Sequence, residues 1–166
     1  YIERVVLTFD KIPDERKKLL RLLANYIKQN YVNKTASNII FICTHNSRRS
    51  QLAQCWGYAS SQYYDLKNIN VFSGGTEVTS FNINALNAMK HSGFTIDQED
   101  SKKKFCVIKV SEKDKGLKCY SKKYDSKDNP VKNFISIMTC IEADGLCPVL
   151  YGSDQKVSIP YKDPKT

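Results

Sequence analysis

Three residues at the end of one apolar stretch have the types and spacing for nucleophilic chemistry. Cys43 follows the apolar run at 39–42, Arg49 comes six positions later, and Ser50 is next. A thiolate is a strong nucleophile, and a guanidinium binds tetrahedral oxyanions through a planar fork of donors. A hydroxyl at Ser50 can donate a hydrogen bond to the sulfur. The pattern therefore predicts a thiolate that attacks a bound oxyanion.

The elements around this cysteine are expected to hold it at the edge of a sheet. The run at 39–42 predicts a strand buried on both faces of a parallel sheet, and the pattern at 51–64 predicts a helix after the loop. Backbone N–H groups of such a loop bind anions together with the positive end of the helix dipole. Asn46 tolerates the left-handed backbone that a tight loop needs. The predicted oxyanion-binding residues are Thr44, His45, Asn46, Ser47, Arg48, Arg49 and Ser50.

A second pair of cysteines follows another apolar run. Residues 134–138 predict a core strand, and Cys140 and Cys147 come after it, at the sheet edge expected for the nucleophile. On a straight helix, residues at this spacing lie about 10 Å apart, too far for a disulfide. Gly145 and Pro148 favour a bend that would bring the sulfurs together. The pair is a candidate redox dithiol, and two incidental thiols are the alternative.

The loop resembles the active loop of a known enzyme superfamily. Cysteine, five residues, arginine and then serine, placed between a strand and a helix, are typical of low-molecular-weight tyrosine phosphatases and of the related thioredoxin-coupled arsenate reductases. The strand expected at 69–72 and its exit loop at 73–77 also resemble this superfamily. The resemblance implies an α/β fold, a three-layer sandwich with a mainly parallel central sheet.

Two later segments make the resemblance to this superfamily more specific. Residues 159–164 resemble the family's acid loop, in which Asp163 would protonate the leaving oxygen. The segment after the strand at 134–138 resembles the redox segment of the arsenate reductases, a pair that ordinary phosphatases of this class do not carry. Its matching residues are Cys140, Ala143, Asp144, Cys147 and Pro148.

The resemblance implies a complete reaction. Cys43 would attack arsenic, Cys140 would then attack the Cys43 sulfur and release arsenite, and Cys147 would resolve the mixed disulfide. Thioredoxin would reduce the resulting disulfide, and no metal or organic cofactor is needed. The alternative is a tyrosine phosphatase that uses only Cys43, Arg49 and Asp163. A third hypothesis is a non-catalytic module that binds anions or a partner.

Three residues depart from the family pattern. His45 replaces the usual glycine of the loop, Arg48 occupies a position that is commonly cysteine, and Lys165 follows Asp163-Pro164 where an aromatic residue is common. Arg48 adds charge at the rim of the loop, and Lys165 argues against a wall that binds an aryl phosphate. The family usually carries a further helix after the acid loop, beyond Thr166.

Composition predicts one domain. The chain has 166 residues, 41% of them hydrophobic, and we expect an N-terminal arm and helix at 1–37 packed on a domain at 38–166. No apolar run reaches the roughly 20 residues of a membrane span, and no leader is evident. Six cysteines without a zinc-ligand spacing predict reduced thiols in the cytoplasm.

The positive charge is local. The net charge is +9, and residues 101–133 contain eleven lysines against four acids. Because this segment has few arginines and no nucleic-acid motif, it predicts a solvated surface that attracts anions, with no nucleic-acid partner.

The remaining patterns predict the supporting elements. Residues 1–10 predict an edge strand or a hydrophobic anchor, and 13–31 predict a helix. A helix capped by Asn82 or Asn84 is expected to end near Ser92 before Gly93, and a strand is expected at 105–110. Residues 118–132 predict a long loop. Cys55 and Cys106 are expected in the core, and Cys119 on the surface.

Overall fold

Four parallel strands form the central sheet of the computed structural model, which describes residues 1–97, 105–146 and 150–164. The apolar residues at 39–42 are all buried, as expected for a strand with both faces covered. In spatial order the strands are β2 (Ile69–Gly75), β1 (Ser37–Cys43), β6 (Phe134–Met138) and β7 (Ser153–Ser158).

Helices cover both faces of this sheet. The helices are α1 (Ile2–Val6), α2 (Asp14–Val32), α3 (Arg49–Tyr63), α4 (Ile83–His91) and α5 (Ile141–Leu146). Helices α2 and α3 pack on the face that carries Ile39 and Phe41, while α5, Tyr124 and Leu150 cover the face that carries Ile40 and Ile42. The predicted three-layer α/β fold with a parallel sheet is confirmed.

Strand register brings the candidate residues to one edge. Cys43 lies opposite Gly75 of β2, and Ile42 lies opposite Met138 of β6. Thr139 continues this alignment, because its backbone N–H donates to the carbonyl of Ile42 at 2.7 Å. The next residue, Cys140, therefore lies near the carboxyl end of β1, because β1 and β6 run parallel.

A small antiparallel sheet packs with α4 against the outer side of α3. The strand predicted at 105–110 is confirmed as one of its strands, but the sequence did not predict the sheet. Its strands are β3 (Thr95–Asp97), β4 (Cys106–Lys109) and β5 (Leu117–Cys119). The predicted loop at 118–132 is therefore wrong for residues 118 and 119, which belong to β5. The expected exposure of Cys119 is also wrong: it is fully buried, pairs with Cys106 across the ladder, and its sulfur lies 3.7 Å from that of Cys55.

The N-terminal residues form α1 and a 3₁₀ turn at Phe9–Lys11, so the predicted edge strand is wrong. The backbone bonds locally, from the N–H of Val5 to the carbonyl of Tyr1, and pairs with no strand in the described part of the chain. The anchor alternative fits better, since the ring of Tyr1 stacks on Trp56 at 5.2 Å.

The other helix predictions are confirmed. Helix α2 matches the expected helix at 13–31, the side chain of Asn82 caps α4, and Gly93 follows α4 with a φ of +98°. No helix in the described ranges has both the length and the apolar character to span a membrane.

Candidate functional site

The sulfur of Cys43 lies at the base of the loop that joins β1 to α3. Its residue is 3% exposed, and the sulfur is 3.0 Å from the hydroxyl of Ser50. Asn46, with a φ of +46°, donates its side-chain N–H to the Ser50 oxygen at 2.8 Å. Because that oxygen accepts from Asn46, the Ser50 hydrogen is free to point at the sulfur, where it would stabilise a thiolate.

The carbonyls of the loop all bond outward. Thr44 accepts from the N–H of Glu77, and His45 accepts from the hydroxyls of Thr79 and Ser121. The next three carbonyls continue the pattern. Their partners are Gln51 for Asn46, Asn82 for Ser47 and Leu52 for Arg48.

The N–H groups of the same loop differ from its carbonyls. Those of residues 44–48 donate to no acceptor in the described part of the chain. Successive amides with free hydrogens can form a concave anion site, and the positive end of a helix dipole adds to it. The oxyanion site predicted around the Cys43 sulfur is consistent with this bonding and stays a prediction.

A segment far away in sequence holds this loop in shape. The backbone N–H of Lys122 donates to the side-chain oxygen of Asn46 at 2.8 Å, and the hydroxyl of Ser121 donates to the carbonyl of His45 at 3.1 Å. Sequence reasoning missed both contacts, because nothing in the lysine-rich pattern distinguishes these two residues from their neighbours.

Gly75 lets the end of β2 approach the loop closely. A Cβ on this residue would lie 2.7 Å from the carbonyl oxygen of Thr44 and 2.8 Å from the amide nitrogen of Asn46. Both atoms belong to backbone that the loop cannot move without losing its shape.

We expect Gly75→Ala to lower the free energy of unfolding by about 1–3 kcal/mol and to weaken inorganic phosphate binding, because the added methyl displaces the loop. Denaturant unfolding and calorimetric titration measure the two effects. Gly145→Ala is the matched control, because a Cβ there meets no atom of the described residues within 4 Å. Unchanged phosphate affinity in Gly75→Ala would contradict the role given to this close approach.

His45, which replaces the usual glycine of the family's loop, places its side chain on the surface. Its φ is not positive, so the backbone does not require glycine there. The imidazole is half exposed, and its Nε2 lies 3.2 Å from a carboxylate oxygen of Glu77. The side chain therefore pairs with Glu77 at the surface.

The two arginines share one carboxylate. Arg48 contacts Asp163 through a fork, Nε to Oδ1 at 2.7 Å and Nη2 to Oδ2 at 3.1 Å. Arg49 lies 3.5 Å from the same carboxylate, 3.6 Å from Glu142 and 3.5 Å from the carbonyl of Tyr161. The hydrogen bond with Asp163 raises the pKa of the Arg48 guanidinium. The sequence anticipated added charge at Arg48, but not its pairing with Asp163.

The acid loop and α5 enclose the space beside the arginines. A cavity of about 420 Å³ is lined by Arg49, Ile141, Glu142, Pro160, Tyr161, Lys162 and Asp163. It opens a route from solvent to the candidate acid and to the start of α5.

Cys140 is fully buried at the start of α5, in the same apolar cluster as Cys43. Its sulfur lies 3.5 Å from the hydroxyl of Thr44 and accepts the N–H of Ala143 at 3.4 Å. A hydrogen bond from its own backbone and one with the Cys140 thiol lower the pKa of the Glu142 carboxyl.

An ion pair anchors α5 to the sheet. The ammonium of Lys156 on β7 lies 2.6 Å from the carboxylate of Asp144, and its hydrogen bond lowers the pKa of that carboxyl. Asp144, one of the residues that match the redox segment of the arsenate reductases, therefore connects α5 to β7. Cys147, Pro148 and Lys165, which the sequence also singled out, lie outside the described residues.

The described residues contain no group of three or more metal-ligating side chains suited to a metal ion. The site consists instead of amides, two guanidiniums, one candidate acid and two sulfurs.

Comparisons with known proteins found relatives with similar sequences. No protein-family model matches the chain. An arsenate reductase of Brevibacillus brevis is 30% identical over 130 residues, covering 76% of this chain and 75% of the relative. An arsenate reductase of Staphylococcus aureus strain Newman is 31% identical over 132 residues, covering 78% and 80%.

Solved structures of similar shape are more distant in sequence. A low-molecular-weight protein tyrosine phosphatase from Bacillus subtilis is 16% identical with a TM-score of 0.48, covering 73% of this chain and 69% of that one. A thioredoxin-dependent arsenate reductase from Corynebacterium glutamicum is 18% identical with a TM-score of 0.46, covering 90% and 61%.

Proposed function

This chain belongs to the arsenate reductase family, and from that premise we propose that it reduces arsenate to arsenite through the sulfurs of Cys43, Cys140 and Cys147. The observation that carries the proposal is the loop at 44–48, whose carbonyls bond outward and whose amides are left for an anion around the Cys43 sulfur. Such a site binds a tetrahedral oxyanion and holds its central atom against a nucleophile.

The first step joins sulfur to arsenic. The Cys43 thiolate, stabilised by the Ser50 hydroxyl, attacks the arsenic of bound arsenate. One As–O bond breaks, and Asp163 gives its proton to the departing oxygen, which leaves as water. Arg49, within reach of Asp163 at 3.5 Å, binds the remaining oxygens.

The second step carries the reduction. The Cys140 thiolate attacks the Cys43 sulfur, an S–S bond forms, and the S–As bond breaks. Its electron pair stays on arsenic, so arsenate leaves as arsenite and two thiolates become one disulfide. Both sulfurs are buried in one cluster, and the hydroxyl of Thr44, the residue after Cys43, lies 3.5 Å from the Cys140 sulfur, which supports this transfer.

The third step restores the nucleophile. Cys147 attacks the Cys140 sulfur, which forms a second disulfide and releases the Cys43 thiolate. A dithiol protein must then reduce that disulfide, and we propose thioredoxin. The cycle needs its thiols reduced at the start, which suits the cytoplasm.

Disulfide mapping by mass spectrometry tests this proposal. Reduced protein treated with arsenate is expected to form a Cys140–Cys147 disulfide and to release arsenite, and Cys147→Ser is expected to stop at the Cys43–Cys140 disulfide. Phosphate is the control, because this chemistry does not reduce it. Formation of the same disulfide in Cys43→Ser treated with arsenate would refute the relay.

Hydrolysis of phosphate monoesters is a second candidate activity. The loop, the Cys43 sulfur and Asp163 suffice for a phosphocysteine intermediate, whose hydrolysis needs no second sulfur. Both activities share the first step, so they separate at the second sulfur.

A further inference from the structure

The contact between Arg48 and Asp163 conflicts with the role that the first step gives to Asp163. A carboxylate held by a guanidinium fork at 2.7 and 3.1 Å stays ionised, whereas a general acid must carry a proton. A second guanidinium, that of Arg49, lies 3.5 Å away. The resting site therefore holds its candidate acid in the form that cannot donate.

We propose that Arg48 keeps Asp163 ionised in the free protein and moves to the bound oxyanion, so that Asp163 takes up its proton only when substrate is present. This inference rests on the proposed function and assigns Arg48 as an oxyanion-binding residue that controls the acid.

The position of Arg48 suits such an exchange. It is the residue before α3, at the end of the loop whose amides face the anion, so its side chain needs only to turn. A guanidinium fork fits a carboxylate and a tetrahedral oxyanion by the same bidentate geometry. The side chains of Arg48 and Asp163 are 22% and 23% exposed, so solvent weakens the pair and lowers the cost of opening it.

The charges around Asp163 supply the driving force. Among the described residues, the groups that face it include the guanidiniums of Arg48 and Arg49 and the carboxylate of Glu142. The Cys43 sulfur is close enough to act on Arg48, and Lys162 is adjacent in sequence. A bound dianion takes up the guanidiniums and leaves Asp163 beside new negative charge. Both changes favour the protonated carboxyl.

Proton uptake on sulfate binding tests the inference. Sulfate is a tetrahedral dianion that does not titrate near neutral pH, and the Cys43→Ser background removes the thiol that would otherwise titrate. Calorimetry in buffers of different ionisation enthalpy gives the number of protons taken up. We expect up to about one proton per sulfate between roughly pH 6 and 7, and none after Asp163→Asn in the same background.

Substitution of Arg48 tests whether this residue binds the oxyanion. In the same background, Arg48→Gln is expected to weaken sulfate binding roughly tenfold, because a guanidinium that binds the anion is lost. The uptake at saturation is not expected to fall, because an aspartate of ordinary pKa is ionised at this pH with or without Arg48. Arg48→Lys keeps the charge but not the fork, and its sulfate affinity is expected to lie between those of Arg48→Gln and the parent background.

Arg16→Gln is the matched control, because Arg16 touches the acid loop at the carbonyl of Pro160, at 3.0 Å, and the ring of Tyr161. It should leave the proton number unchanged. Sulfate binding without uptake, unchanged sulfate affinity in Arg48→Gln, or equal losses in Arg16→Gln would each overturn the inference alone. Absence of sulfate binding would instead refute the oxyanion site and with it the proposed function.

Discussion

Cys43→Ser is expected to lower arsenate turnover by at least about 1000-fold while the fold and the binding of inorganic phosphate persist. Serine keeps the size and the contact with Ser50, but its hydroxyl is a far weaker nucleophile than a thiolate at neutral pH. The loop amides at 44–48, to which we assign anion binding, belong to the backbone, which the substitution leaves in place. Turnover assays and calorimetric titration with phosphate measure the two properties.

Cys55→Ala is the control for loss of a buried thiol. Cys55 is fully buried on α3 but faces Cys119 and the antiparallel sheet, away from the loop. Its substitution should cost stability and leave turnover nearly intact. Substantial turnover in Cys43→Ser would remove the nucleophile from the proposal, and loss of phosphate binding in that variant would show that the sulfur shapes the loop.

Cys140→Ser is expected to abolish arsenate turnover and to leave hydrolysis of an aryl phosphate largely as it is in the unsubstituted protein. Reduction needs a second sulfur to attack the first, whereas hydrolysis needs only water at the phosphocysteine. Serine preserves the contact with Thr44, so the loop should remain in place. Parallel assays of arsenite release and of phosphate-ester cleavage separate the two activities.

The results for arsenite release and for phosphate-ester cleavage together decide between the two candidate activities. Arsenate turnover that survives Cys140→Ser would contradict the relay. Loss of both activities would mean that Cys140 serves the loop structurally, a result that the unfolding free energy and phosphate affinity of the same variant would reveal. A single stoichiometric arsenite release in Cys147→Ser, without further turnover, would support the proposed order of the sulfurs.

Local sequence patterns were sufficient for the elements that position the loop. The apolar run at 39–42 became β1, the pattern after the loop became α3, and the polar Asn82 caps α4. These features depend on residues a few positions apart, where periodicity and capping preferences act. The placement of Ser50 beside the Cys43 sulfur and the left-handed Asn46 also follow from short-range spacing.

Tertiary structure decided everything that joins distant segments. Arg48 and Asp163 are 115 positions apart, and Asn46 and Lys122 are 76 apart, so no local pattern indicates that they meet. The burial of Cys119 arises the same way, because a lysine-rich neighbourhood predicts exposure while pairing with β4 places this residue in the core. By itself the sequence determined the strand and the helix that flank the loop, and it predicted a nucleophile and an oxyanion site there. Only the packed chain decided which charges face that loop, because strand pairing and close backbone approach select partners that spacing does not encode.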